Sequence, residues 1–125
     1  MRRQAIGRRA QARGLDAEAA ARAALSAEGW TVLASRARTP AGEVDLVAER
    51  GGLTAFIEVK SRPSLAEAAY ALGPRQRARL LAAAEALLAA NPGWGRAGVR
   101  FDVLLVDDAG RVRRIADAFR VGDMS

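Results

Sequence analysis

Gly42-Glu-Val-Asp-Leu-Val-Ala-Glu-Arg-Gly-Gly-Leu-Thr-Ala-Phe-Ile-Glu-Val-Lys60 reads as two β-strands folded about a glycine pair. A Gly-Gly pair between alternating runs is a good hairpin signal, because glycine reaches the left-handed backbone of tight turns without strain. With Gly51 and Gly52 as the turn, Arg50 faces Leu53 and the partners follow outward. Asp45 then lies opposite Glu58, and Glu43 opposite Lys60. Opposed residues share a sheet face, and steps of two along a strand stay on it. Glu43, Asp45, Glu58 and Lys60 are therefore expected to converge on one patch.

Two carboxylates directly across a ladder repel by about 3 kcal/mol at roughly 5 Å and an effective dielectric of about 20. Leu53-Thr-Ala-Phe-Ile57 is nearly continuous apolar sequence, as in a strand buried on both faces. Glu58 follows it directly, so the acidic pair lies near the core. Lys60 is one candidate to neutralise it and a divalent cation is another. An ordinary amphipathic hairpin with a Glu43–Lys60 cross-strand salt bridge explains those two residues, but explains Asp45 opposite Glu58 poorly.

Working outward, a helix is expected over 16–28, capped by Asp16 and closed by Gly29. Its buried face reads as Ala17, Ala20, Ala21, Ala24 and Leu25. Residues 30–36 read as a first strand and Pro40-Ala-Gly42 as a turn, followed by strands over 43–49 and 53–61. Residues 62–73 form a less regular connection. Pro74 opens a helix to Ala90, since proline suits the first helical turn. Strands over 99–106 and 111–116 complete the chain. The expectation is an α/β fold: a mixed five-stranded sheet flanked by helices, in the order helix, three strands, helix, two strands. A single domain spans 16–120, between a basic arm (1–15) and a short tail (121–125).

The 125 residues allow one domain, and half of them are hydrophobic. No apolar run approaches the roughly 18–20 residues of a membrane span, and the Arg-rich N-terminus lacks a secretory apolar stretch. A soluble, cytoplasmic protein is expected, with no membrane partner. The chain has no Cys and no His, which excludes disulfides, thiol chemistry and imidazole ligands. Any metal must be held by carboxylates, carbonyls and water, a hard-oxygen set that suits Mg²⁺ or Mn²⁺. The net charge of +6 points to a polyanionic partner. Three Phe, two Trp and one Tyr are too few for a stacking platform, so phosphate contact is the expected mode. Lys60 is the only lysine among 20 basic residues. Arginine does not replace lysine where a compact or deprotonatable amine is needed.

Gly42-Glu-Val-Asp-Leu46 followed by Phe56-Ile-Glu-Val-Lys60 resembles the PD-(D/E)xK nuclease signature, in which an Asp is followed one strand later by Glu-x-Lys. The chain from Gly14 to Phe119 is similar to the small bacterial YraN-type family of predicted endonucleases. Gly14-Leu-Asp-Ala-Glu18, Gly29-Trp-Thr-Val-Leu33 and Arg77-Ala-Arg-Leu80 carry the likeness along with the hairpin. The resemblance implies a restriction-endonuclease-like core, similar to archaeal Holliday-junction resolvases. It implies a metal-dependent endonuclease acting on DNA, branched or single-stranded. Asp45 and Glu58 would ligate Mg²⁺ or Mn²⁺ with the Val59 carbonyl. Lys60 would orient or deprotonate water or stabilise phosphate charge, and Glu18 would hold a water or a second metal. Ala23-Ala-Leu25 departs from the family where an aromatic is common, and Arg75-Gln-Arg77 departs where lysine is.

Glu43 and Gln76 are supporting candidates. Arg36, Arg38, Arg75, Arg77 and Arg79 are phosphate-contact candidates, although Arg75, Arg77 and Arg79 equally suit a solvated helix face. Glu18 and Arg22 equally suit an i,i+4 salt bridge, and Arg100 with Asp102 is expected to be a structural ion pair. A junction substrate would favour a homodimer, by analogy. The alternative is a non-catalytic nucleic-acid-binding or partner-binding module that keeps the nuclease fold.

Overall fold

In the computed structural model, which describes residues 17–65 and 72–119, the glycine turn forms as read. Gly51 and Gly52 take φ of 58° and 83°, the paired positive values of a primed two-residue turn. The register follows outward through Arg50–Leu53, Glu49–Thr54, Ala48–Ala55, Val47–Phe56 and Leu46–Ile57. The arm 1–15, the capping residue Asp16, the tail 121–125 and residues 66–71 lie outside the described residues.

Helix α1 is described over 17–27 and ends in a turn at 28–29, where the Trp30 amide donates to the Leu25 carbonyl at 2.9 Å. The strands are β1 (Thr31–Thr39), β2 (Gly42–Arg50) and β3 (Leu53–Ser61). Helix α2 (Pro74–Ala90) then precedes β4 (Gly98–Val106) and β5 (Val112–Phe119). The first and last strands run beyond the expected 30–36 and 111–116. Alternation becomes hard to read past Arg36 and past Ala116, while backbone pairing continues. The turn at Pro40 is held by Thr39, whose hydroxyl accepts the Ala41 and Gly42 amides at 3.1 Å each.

The sheet order is β1-β2-β3-β4-β5, a mixed α/β sheet as expected. The β3–β4 pair is parallel and the other neighbours are antiparallel. Parallel neighbours need a long crossover, and α2 supplies it. One sheet face packs against α2, where Val44, Val47, Phe56, Leu80, Ala83, Phe101, Val103 and Leu105 form a core. The other packs against α1 through Ala21, Leu25, Trp30, Leu46, Ala48, Ala55, Ile57 and Leu104. Both faces of β3 are thus covered, which is why Thr54 to Ile57 are fully buried.

Side-chain alternation breaks twice along β1: a bulge between Val32 and Ala34 leaves Leu33 and Ala34 both on the α2 side, and a second break lies beside the site. In β2, Leu46 and Ala48 face α1 and Val47 faces α2, yet Val44 also faces α2. In β1, Ala34 and Ala37 both pack on the α2 side, again three residues apart. Between them Arg36 adopts φ 50°, the only positive value at a non-glycine residue among those described. Pairing runs from Ser35–Leu46 to Ala37–Val44 around Arg36 and Asp45. The two strands slip their alternation together, which keeps the register while re-aiming Asp45.

Candidate active site

The re-aimed Asp45 is the centre of the site. Its Oδ2 accepts the Val59 amide at 2.8 Å, so the side chain occupies the gap beyond the last β2–β3 pair, Leu46–Ile57. The amide and carbonyl of one strand residue face the same neighbour. The Val59 carbonyl is therefore turned to the same gap.

The expected single patch does not form. Glu43, Glu58 and Lys60 line a cavity of about 260 Å³ on the α2 side, with Gly42, Leu72, Gln76, Arg79 and Leu80. Asp45 lines a second cavity, of about 150 Å³, on the α1 side with Ala17, Glu18, Arg36, Val59 and Ser61. The rule of two-residue steps failed here because the slip at Asp45 and Arg36 turned one acid out of the row. Glu58 and Asp45 remain electrostatic neighbours across the strand edge. The Asp45 carboxyl is pushed up to about 6 by burial first, and then by the charges of Glu58 and Glu43. The Val59 hydrogen bond and the Lys60 ammonium oppose that rise.

Lys60 Nζ lies 3.1 Å from Glu58 Oε1. The lone lysine thus pairs along its own strand, with the residue two positions back, since the β2–β3 ladder closes before Glu43 and Lys60 can face each other. Glu18 reaches the Asp45 cavity from α1, and it also pairs with Arg22 at 3.8 Å and Arg36 at 3.4 Å. Its structural and site roles coincide in one place. Gln76 reaches the α2-side cavity and accepts the Gly73 amide at 3.4 Å, so it caps its helix as well. Of the arginine candidates, Arg36 and Arg79 line the two cavities. Arg75 is exposed, Arg77 is half-buried, and Arg38 is exposed opposite Glu43. These three line neither cavity. Ser61, Leu72 and Leu80 were not anticipated. Ser61 was legible as the residue two beyond Val59; the two leucines become visible only once α2 is docked.

Arg100 and Asp102 form the expected structural pair, bidentate at 2.9 and 2.8 Å.

Among the described residues, no group of three or more His, Cys, Asp or Glu side chains is gathered into a ready metal site. The donor chemistry of the α1-side cavity nevertheless fits a hard cation: the Asp45 and Glu18 carboxylates and the Val59 carbonyl, with water completing the shell, while Glu58, expected as a ligand, lines the other cavity. The Asp45 carboxyl is raised chiefly by burial, and a cation bound beside it would favour its charged form.

The family model described as "Uncharacterised protein family UPF0102" matches residues 17–106. A UPF0102 protein of Granulibacter bethesdensis is 58% identical over 117 residues, covering 94% of this chain and 74% of the relative. One of Acidiphilium cryptum is 50% identical over 124 residues, covering 98% and 94%. One of a Bradyrhizobium species is 50% identical over 106 residues, covering 85% and 75%.

Proposed function

The chain belongs to the UPF0102 family, and we propose that it is a metal-dependent endonuclease hydrolysing phosphodiester bonds in DNA. One observation carries the reading. A half-buried Asp45 with its carboxyl raised to about 6 stands beside Glu58, and Glu58 holds the lone lysine at 3.1 Å.

Asp45 and the Val59 carbonyl would hold Mg²⁺ or Mn²⁺ on the α1 side, where Glu18 adds a second carboxylate, and Glu58, on the α2 side, would add its charge across the strand edge. When bound, the cation would polarise the phosphate and make a water a better nucleophile at neutral pH. Asp45 keeps its orientation through the Val59 amide, which leaves its second oxygen to a ligand. Lys60, held by Glu58 at 3.1 Å, presents an ammonium that can balance developing phosphate charge. Glu18 can position a water on the α1 side. Arg36 and Arg79, one at each cavity, can take flanking phosphates. The net charge of +6 supports a polyanionic substrate, and a symmetric dimer would present two such centres to a branched one.

The test is cleavage of paired, branched, flap and single-stranded DNA with Mg²⁺ or Mn²⁺ and with chelator. Asp45→Asn, Glu58→Gln and Lys60→Ala are each expected to lower cutting by roughly 100-fold or more. Lys60→Ala should keep DNA affinity within a few fold. A second reading has its own support: the Lys60–Glu58 pair partly neutralises the site without a metal, as a non-catalytic nucleic-acid-binding module would need. Metal-independent DNA binding with no cutting across the panel selects that reading.

A further inference from the structure

The α2-side cavity holds more room than hydrolysis at Lys60 requires. Its volume of about 260 Å³ is several times the ~30 Å³ share of one water. It approaches the roughly 300 Å³ at which small-molecule pockets begin. The charges lining it balance, Glu43 and Glu58 against Lys60 and Arg79. Gln76, whose oxygen is held by the Gly73 amide, adds an amide donor, and the largely buried Leu72 and Leu80 add a small apolar wall. A bare phosphate is best held by surplus positive charge. A balanced lining with donors, acceptors and an apolar wall matches a neutral, flat heterocycle instead. The α1-side cavity differs in kind: Glu18 and Asp45 outnumber Arg36, a surplus of acid that suits a cation.

We propose that the α2-side cavity receives one unpaired nucleobase, next to the phosphate presented to Lys60. This deepens the reading above and rests on it, since it takes the site to be a nucleic-acid centre. Glu43 would accept from an exocyclic amino group, Arg79 would donate to a ring nitrogen or carbonyl, and the leucines would lie against the ring. A base within a duplex presents neither its pairing edge nor its faces. The substrate class that follows is DNA with a bulged, gapped or single-stranded nucleotide, in preference to continuous duplex.

The experiment uses the full chain, in chelator, with short DNA duplexes carrying one 2-aminopurine either paired or in a single-nucleotide bulge. The bulged DNA is expected to bind roughly tenfold more tightly, with a change in 2-aminopurine fluorescence that the paired probe does not show. Gln76→Trp, with folding checked by thermal melting, should fill the cavity and bring bulged DNA to the duplex affinity. Arg79→Ala, exposed and therefore structurally benign, should reduce the same preference. Equal binding of both DNAs, or a preference that survives Gln76→Trp and Arg79→Ala, overturns the assignment. Metal-dependent cutting of both DNAs without preference overturns this inference alone. Binding of neither DNA overturns it together with the endonuclease reading. A bulge preference without metal-dependent cutting supports the cavity assignment and removes the catalytic reading.

Discussion

Asp45 shows how one backbone slip changes the chemistry of one residue. Its carboxyl is raised chiefly by burial, and further by Glu58, from 3.8 to about 6. Between those values the folded protein keeps the proton and the unfolded chain has released it. The metal-free protein should therefore lose stability as pH rises from about 4 to about 6, then level off. Asp45→Asn removes the charge while its side-chain oxygen can still accept the Val59 amide. At pH 7, in chelator, the variant should be more stable than the wild type by about 1 kcal/mol, allowing for solvent screening of a half-buried group. Below pH 4 the difference should vanish. Urea unfolding across this pH range checks it, and a wild-type advantage at pH 7 would show that the buried Asp45 charge costs no stability. Added Mg²⁺ should raise wild-type stability and leave the variant unchanged.

At the scale of elements, the β2–β3 hairpin sets the register that brings Glu58 and Lys60 beside β2. Its two glycines are not equivalent. Around Gly51 a Cβ would meet nothing within 4 Å, whereas at Gly52, with φ +83°, it would meet the Ala97 Cβ at 3.2 Å. The Gly52 carbonyl also accepts the Ala97 amide at 3.0 Å, tying the hairpin to the approach of β4. Gly52→Ala should destabilise the protein by about 1–2 kcal/mol from the left-handed backbone alone. Gly51→Asn should be close to neutral, because asparagine tolerates that conformation. Comparison of their urea midpoints tests this, and equal loss in both would mean the turn is not of the paired positive-φ type. The turn end of this hairpin, as far as Leu46–Ile57, was readable from the glycine pair, whereas the expected pairs Asp45–Glu58 and Glu43–Lys60 beyond it were not met. The slip at Arg36 was not, since nothing in Ser35-Arg-Ala-Arg38 marks a left-handed residue; it follows from closing β1 on β2 while both faces are packed.

At the scale of the molecule, one buried ionic cluster joins most of the elements away from the site. Asp102 is 1% exposed and binds Arg100 twice, with Arg114 at 3.8 Å. Arg114 also pairs with Glu28 at the end of α1. Arg50, Arg100 and Arg114 stand 4.6, 5.1 and 5.6 Å from the Trp30 ring centre. The cluster thus ties the turn between α1 and β1 to β2, β4 and β5. Asp102→Ala should cost about 3–5 kcal/mol, because it strands partly buried guanidinium charge without its partner. That is a large fraction of the stability of a small domain. A loss below about 1 kcal/mol in urea unfolding would show the cluster to be solvated.

Local chemistry in the chain was enough to determine the elements, their order, the hairpin register, the oxygen-only donor chemistry and the pairing of Arg100 with Asp102. Each depends on neighbours in sequence or on residue types alone. Tertiary structure decided which side of the sheet each acid serves: Asp45 joined Glu18 and Arg36 under α1, and Glu58 joined Lys60, Gln76 and Arg79 under α2. Side-chain alternation is a property of an ideal strand. Where two strands must keep their pairing and also fill two different helix-packed faces, packing overrides it.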